Sequence, residues 1–204
     1  MYNELVDKIL ILDIDGTLFN SNRFGEQIRA EFIKILGVEE DDLVRTIADY
    51  YSALEHYSDF NPREIADFVA NRYSIDRTLL DEVFWGEDVI YKESLYPETI
   101  EVLKKLSENH VLGIFSQGNQ ELQERKLTAA GIIKFFDPGY VFVHSRKLSD
   151  EAIAVLPRDA TIVDDNHDVA VTIVSFVNSI WINRRTQDRD PQLKTIHTLS
   201  ELLG

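Results

Sequence analysis

The chain has 204 residues, of which 44% are hydrophobic, so it can bury the core of one domain or of one domain that carries an insertion. Acidic residues (36) outnumber basic ones (21), and the formal charge of −15 disfavours nucleic acid and anionic membrane surfaces as partners. Cysteine is absent, which excludes disulfides, thiolate metal sites and cysteine nucleophiles. Any metal must therefore use oxygen or histidine ligands, and hard cations such as Mg²⁺ are favoured.

The beginning of the chain predicts no export signal. Residues 1–4 (MYNE) include an acid, and the first apolar run, residues 9–12, is far shorter than a signal-peptide core. The longest later apolar stretch, residues 169–182, is interrupted by polar residues and is too short to span a bilayer. We therefore expect a cytoplasmic protein that does not interact with membranes.

Short apolar runs of strand type occur in five places, and helical patterns alternate with most of them. They are residues 9–12, 111–115, 140–143, 161–163 and 179–182. This alternation predicts an α/β fold with a Rossmann-like parallel sheet and crossover helices. We expect Pro97 at the first position of one such helix, and Asn119 before another that stops at Gly131.

The segment between the first two runs breaks this alternation, because it contains consecutive helical patterns. Phe24, Ile28 and Phe32 recur at helical spacing, and residues 61–64 (NPRE) resemble an N-cap, a first-turn proline and a capping glutamate. Without a Gly/Ser-rich linker, such a segment is expected to pack against the core.

We therefore predict two domains, with an inserted all-helical cap. The α/β core comprises residues 1–19 and 95–204, and the cap comprises residues 20–94.

The most informative segment is residues 9–18 (ILILDIDGTL), where a buried strand leads into Asp13 and Asp15 and then into Gly16. Ligands of open α/β sheets bind at the carboxyl ends of the strands, and a glycine permits a sharp exit there. One carboxylate can attack phosphorus while the other, when protonated, donates a proton to the leaving oxygen and later activates water. Taken alone, the pattern suits a solvated strand-to-turn junction equally well.

Residues 13–18 resemble motif I, Asp-x-Asp-Gly-Thr-Leu, of the haloacid dehalogenase-like hydrolases. The resemblance implies that Asp13 is the nucleophile and Asp15 the general acid/base, with the backbone carbonyl of Asp15 also binding Mg²⁺. Dehalogenases of the family lack the second aspartate, so Asp15 makes the chain resemble the phosphatase branch. Members with a helical cap of the C1 type carry an insertion at the position of residues 20–94.

Two further segments resemble motifs II and III. Residues 114–119 (IFSQGN) match a strand that ends in Ser or Thr, which implies that Ser116 hydrogen-bonds the phosphoryl group. Residues 144–147 (HSRK) imply that Lys147 neutralises the phosphate and the nucleophile. Arg146 remains an alternative, since Leu148 stands where many relatives have a proline.

Residues 162–168 (IVDDNHD) end a strand in clustered acids, which is costly without a cation and therefore indicates a metal site. A helix N-terminus could account for one or two of these acids, but it accounts poorly for Asp164 at the strand end. The segment resembles motif IV, which implies that Asp164 is a metal ligand and that Asp165 and Asp168 are further candidates. With Asp13 and Asp15, these residues form the expected Mg²⁺ site.

The function implied by the four motifs is Mg²⁺-dependent hydrolysis of a small phosphorylated metabolite through an aspartyl-phosphate. Two alternatives remain open. A phosphomutase of the same superfamily would use the same motifs, and a non-catalytic interaction protein could keep the fold. The sequence predicts neither the substrate nor the oligomeric state.

Overall fold

The computed structural model describes residues 8–204, which contain a six-stranded parallel sheet. Its strands are β1 (Lys8–Leu12), β2 (His110–Gln117), β3 (Val141–His144), β4 (Thr161–Asp164), β5 (Asn178–Ile182) and β6 (Lys194–Ile196), in the spatial order β3-β2-β1-β4-β5-β6. The segment 1–4, for which the sequence predicts no export signal, lies outside the described residues. Within the described part of the chain, no helix is long and apolar enough to cross a membrane.

Both faces of the sheet are covered, which explains why its central strand is apolar at successive positions. Leu10 and Leu12 pack into the larger hydrophobic cluster, whereas Ile11 packs with Phe115 into a second cluster. Successive side chains of a strand point to opposite faces, so one strand contributes to both clusters. The predicted α/β fold with a parallel sheet and an inserted helical segment is confirmed.

Helices fill the chain between β1 and β2. They are α1 (Ser21–Leu36), α2 (Glu40–Ser52), α3 (Pro62–Tyr73), α4 (Arg77–Trp85), α5 (Val89–Glu93) and α6 (Thr99–Leu106). The apolar stripe predicted for α1 is buried and comprises Phe24, Ile28 and Phe32. The Asn20 side chain caps this helix by accepting from the Arg23 N–H. The local signals of the sequence thus define the first helix of the insertion.

The two ends of the helical insertion lie side by side. The Asn20 N–H donates to the Ser94 carbonyl at 2.7 Å, and Phe19 forms a bridge with Leu95. Phe19 also packs against Phe24 and Tyr91, with ring centroids 5.3 and 6.4 Å away. The apolar interior of the insertion is therefore continuous with the larger cluster of the sheet. The division into core and cap domains at these residues stays a prediction.

Three more helices follow β2, β3 and β4: α7 (Gln120–Ala129), α8 (Asp150–Ala154) and α9 (His167–Ile173). Asn119 caps α7 as predicted, since its side chain accepts from the Leu122 N–H at 3.0 Å. The helix ends before Gly131, whose φ of 73° is in the left-handed region that glycine favours. Asn119 and Gly131 thus mark the start and the end of α7.

Some predicted boundaries were wrong. Pro97 precedes α6 by two residues instead of opening it, and Tyr140 belongs to a 3₁₀ turn before β3. Glu64 accepts from the Asn61 side-chain amide, not from its backbone N–H, although Asn61 and Pro62 cap α3 as predicted. Strand β6 was not predicted, because its three residues include lysine and threonine and lack an apolar run.

Candidate active site

The carboxyl ends of β1 and β4 bring two aspartates together. Asp13 directly follows β1, and its N–H donates to the Val163 carbonyl at 2.9 Å. Asp164 is the last residue of β4, which pairs with β1 in parallel. Both side chains are buried. Because parallel strands end at the same edge of a sheet, the pairing of β1 with β4 makes this contact.

Lys147 lies between these two carboxylates. Its Nζ is 2.5 Å from Asp13 Oδ1 and 2.6 Å from Asp164 Oδ2. Burial lowers the pKa of Lys147, but the charges and hydrogen bonds of the two aspartates outweigh burial and raise it above the usual value. Burial raises the pKa of Asp13 well above the usual value, against the opposing charge of Lys147 and with a further increase from Asp164. The short contact holds the Asp13 side chain beside the Lys147 amine.

A third carboxylate completes a candidate metal site. Among the described residues, Asp13, Asp164 and Asp165 each offer an oxygen atom, and these atoms all lie within 4.8 Å of one another. Burial, and then the charge of Asp164, raise the pKa of Asp165 to about 6. Three carboxylates and one lysine carry a formal charge of −2 when all are ionised. Oxygen donors with this charge fit a hard divalent cation.

Asp15 is held by a different set of partners. Its Oδ1 accepts from Ser21 Oγ at 2.5 Å, and its Oδ2 accepts from Gln123 Nε2 at 2.7 Å. Lys126 Nζ is 2.6 Å from one oxygen and 2.8 Å from the other. Burial raises the pKa of Asp15, but the charge of Lys126 and these hydrogen bonds lower it overall. The described conformation therefore favours the ionised form of Asp15.

Ser116 is buried near the end of β2, where its Oγ accepts from Gln123 Nε2 at 3.1 Å. The next side chain, Gln117, accepts from the backbone N–H of Lys147 at 2.9 Å. The end of β2 thus fixes the loop that carries Lys147. Ser116 and Lys147 consequently lie on the same edge of the sheet as Asp13.

The geometry separates Arg146 from Lys147, which the sequence left as alternatives. The Arg146 guanidinium is half-exposed and pairs with Asp59 of the helical insertion at 2.8 Å. It also donates to Ser58 Oγ, which in turn donates to the Ser145 carbonyl at 2.9 Å. Lys147 contacts the predicted nucleophile, whereas Arg146 joins the insertion to the loop after β3.

Asp168 does not join the carboxylate cluster. It is exposed in the first turn of α9, where its N–H donates to the Asn166 side chain at 3.0 Å. An acid in the first turn of a helix is favoured by the helix dipole, which accounts for this placement. Of the five predicted metal ligands, the structure brings together the side chains of Asp13, Asp164 and Asp165.

Gln123 and Lys126 were missed by the sequence analysis. Both lie on one face of α7, three residues apart, and both are buried. A weak signal was present, because polar residues stand where an apolar stripe would otherwise complete the inner face of this short helix. The helical pattern alone does not tell which partner such residues meet.

Comparison with known proteins identifies the family. The haloacid dehalogenase-like hydrolase family matches residues 8–183. The chain therefore belongs to the haloacid dehalogenase-like hydrolases, and it is a hydrolase of that superfamily. A comparison with curated protein sequences found no significant match.

Solved structures of several kinds share the fold. An HAD phosphatase from Thermococcus onnurineus is 24% identical, with a TM-score of 0.61, and the match covers 96% of this chain and 95% of that one. The HAD-hydrolase YfnB from Bacillus subtilis, described as bound to magnesium, is 14% identical, with a TM-score of 0.64 and 96% coverage of both chains. The L-2-haloacid dehalogenase RSc1362 is 22% identical, with a TM-score of 0.56 and 97% coverage of both. At these identities the similarity establishes the fold, and both phosphatases and dehalogenases have it.

Proposed function

We propose that the protein is a Mg²⁺-dependent phosphomonoester hydrolase that acts on a small phosphorylated metabolite through an aspartyl-phosphate on Asp13. The observation that carries the proposal is the cluster that Asp164 and Asp165 form with Asp13, the predicted nucleophile. Attack on an anionic phosphate beside further carboxylates requires positive charge, which Lys147 supplies in part and a divalent cation would complete. Nucleophilic displacement of a halide needs no such cluster.

Asp15 is a second support for phosphoryl transfer. The leaving group of an alkyl phosphate ester departs as an alkoxide that must take up a proton. Asp15, two residues after the predicted nucleophile, is a second carboxyl group that can supply this proton. The phosphatase from Thermococcus onnurineus and the magnesium-bound hydrolase from Bacillus subtilis are consistent with this choice among the activities found on the fold.

In the proposed mechanism, an Asp13 oxygen forms a bond to phosphorus as the bond to the leaving oxygen breaks. Asp15, which is ionised in the described conformation, takes up a proton from solvent when substrate binds and gives it to that oxygen. The Ser116 hydroxyl donates to a phosphoryl oxygen, and the Lys147 ammonium balances charge on the phosphoryl group. Water then attacks the aspartyl-phosphate, Asp15 takes its proton, and inorganic phosphate leaves with Asp13 regenerated.

The carboxylates of Asp13, Asp164 and Asp165 would hold the metal, and the backbone carbonyl of Asp15 is a further expected ligand. Bound there, Mg²⁺ supplies positive charge for the phosphoryl oxygens. Asp168 stays a predicted ligand that the described conformation does not bring to the cluster. We further propose that the protein acts in the cytoplasm, with neither nucleic acid nor membrane as partner.

The deciding experiment is a phosphate-release screen over a broad panel of phosphomonoesters, with halide release from 2-haloacids measured in parallel. We expect phosphate release that needs a divalent cation and disappears in Asp13→Asn, together with a base-labile phosphoenzyme on the wild type alone. The matched control is Asp137→Asn, which changes an aspartate in the turn before β3 that caps Gly139. Undiminished turnover in excess chelator, full activity of Asp13→Asn, or halide release without phosphate release would each overturn the proposal.

A further inference from the structure

Lys126 is a buried lysine that none of the four motifs assigns. Its side chain leaves α7 and is only 7% exposed, and its Nζ lies 5.3 and 5.9 Å from the ring centroids of Phe19 and Phe24. A charged amine in such surroundings is costly unless it is paired. Its carboxylate partner is Asp15, at 2.6 and 2.8 Å from Nζ. The apolar contacts thus direct this charge toward the predicted acid/base.

The Asp15 carboxylate is fixed from three directions. Ser21 donates to one oxygen, Gln123 donates to the other, and Lys126 donates to both. Ser21 opens α1, whereas Gln123 and Lys126 belong to α7, so both the insertion and the core hold this side chain. Four hydrogen bonds to two oxygens leave little rotational freedom about the side-chain bonds of Asp15. Lys126 supplies two of the four and the only formal charge among these donors.

We propose that Lys126 is a positioning residue, which holds the Asp15 carboxylate in the orientation from which it exchanges a proton with the leaving group and with water. The inference rests on the proposed phosphatase function. It also divides the roles of two buried lysines: Lys147 holds the predicted nucleophile, and Lys126 holds the predicted acid/base. Ser21 and Gln123 complete the support of Asp15.

The orientation of a general acid affects some substrates more than others. Displacing a catalytic group by about 1 Å can cost about 10²-fold in rate. That cost applies where the leaving oxygen must be protonated, as in an alkyl phosphate. It is small where the leaving group departs as a stable anion, as in an activated aryl phosphate. A purely structural role of Lys126 would lower turnover of both substrates alike.

The test measures kcat/KM for one alkyl and one activated aryl phosphate with Mg²⁺, because kcat/KM reports the step in which the leaving group departs. For Lys126→Met we expect a loss of about 10- to 100-fold on the alkyl phosphate and less than about 3-fold on the aryl phosphate. Lys126→Arg keeps the charge and should recover part of the alkyl activity. The matched control, Lys104→Met, changes an exposed lysine of α6 and should leave both values unchanged.

Ser21→Ala provides a second variant if Lys126→Met does not fold, since it removes one hydrogen bond from Asp15 and leaves the ion pair. Ser21→Ala should also lower kcat/KM more on the alkyl phosphate than on the aryl phosphate, but by a smaller factor than Lys126→Met. Equal losses of kcat/KM on both substrates in the variant that folds would overturn the inference, and so would a gain of kcat/KM on the alkyl phosphate. In either case an active wild type would still support the proposed function. An inactive wild type, or a fully active Asp13→Asn, would overturn the proposed function and the inference with it.

Discussion

Gly16 follows Asp15, the predicted acid/base, and the backbone of Gly16 lies in the left-handed region with φ of 78°. A Cβ at this position would lie 2.2 Å from Asp165 Oδ2. The glycine therefore serves two purposes, because it lets the chain turn after β1 and leaves room for a carboxylate of the proposed metal site. The turn after β1 and the position of Asp165 both depend on the glycine at this residue.

We predict that Gly16→Ala weakens Mg²⁺ binding and abolishes most activity. Gly37→Ala is the matched control, since Gly37 has a φ of 65° and open space where its Cβ would be. The left-handed backbone should cost about 1–2 kcal/mol of unfolding free energy in both variants. The displacement of Asp165 should affect only Gly16→Ala. Calorimetric Mg²⁺ titration and urea unfolding measure the two effects, and equal Mg²⁺ affinity in the two variants would contradict the prediction.

At the residue scale, the sequence predicted the side chains that stand at strand ends. Asp13 and Asp164 were found because two buried strands each end in an acid, and parallel strands end at one edge. The choice between Arg146 and Lys147 depended on the path of a loop, which a pattern of residues does not specify. Lys126 could not be paired with Asp15 from sequence, because the two are 111 residues apart.

At the scale of elements, five strands were predicted because each contains a compact apolar run. Some of their predicted ends differ from the structure, since strand ends depend on hydrogen bonds to neighbouring strands. Among the strands of residues 8–204, β6 pairs only with β5, at the edge of the sheet, and it buries two of its three residues. It was not predicted because it lacks the apolar run that identified the other five strands. Such an edge strand is recognised in the structure by its hydrogen bonds to the neighbouring strand, and its own sequence pattern does not reveal it.

Glu98 connects the start of α6, the segment after β5 and the C-terminal turn. It precedes α6, pairs with Arg184 after β5 at 2.8 Å, and accepts from the Leu199 N–H of the C-terminal turn at 3.4 Å. Arg184 also donates to the Thr17 carbonyl at 2.8 Å, which supports the loop after Asp15. Burial raises the pKa of Glu98, but its hydrogen bonds and Arg184 lower it below the usual 4.5.

We predict that Glu98→Gln lowers the free energy of unfolding by about 1–2 kcal/mol at pH 7, an amount that allows for partial solvent screening of the pair. Because the pKa of Glu98 is lowered in the folded state, its contribution is full above about pH 4.5. It is lost as the pH falls through the folded-state pKa. Urea unfolding from pH 7 to pH 3.5 should therefore show the difference from wild type shrinking in acid.

Glu101→Gln, which removes an exposed partner of Lys105 on the same helix, is the control and should leave stability nearly unchanged throughout. If the difference in unfolding free energy between Glu98→Gln and wild type stays constant with pH, the ion pair of Glu98 with Arg184 does not cause that difference.

At the scale of the whole molecule, the helical insertion contacts the site as well as the sheet. Asp59 pairs with Arg146 beside Lys147, and Gln117 donates to the Tyr57 hydroxyl at 3.3 Å. These contacts place the turn at residues 57–59 against the end of β2, which carries Ser116, and against the loop that carries Lys147. We therefore expect the insertion to select substrates by the group that bears the phosphate. The sequence predicted that the insertion packs against the core, but it did not predict these individual contacts, because their partners are 60 and 87 residues apart.

We predict that the α/β core folds after residues 21–93 are replaced by a short Gly/Ser linker. The hydrogen bond between Asn20 and Ser94 shows that the chain ends to be joined are already adjacent. Stability should fall, because Phe19 loses its packing against Phe24 and Tyr91, and each such aromatic contact is worth about 0.5–1.5 kcal/mol. Adding Phe19→Thr to the shortened chain should reduce its self-association, since the ring is otherwise exposed.

Circular dichroism and urea unfolding would measure the folding of this shortened chain, and phosphate release from small and bulky phosphomonoesters would measure its selectivity. We expect a cooperative transition and a smaller difference in kcat/KM between the two substrate sizes than in the full chain. A shortened chain without a cooperative transition, with and without Phe19→Thr, would contradict the division into core and cap. That outcome would mean that the continuous apolar interior makes the insertion and the sheet one folding unit.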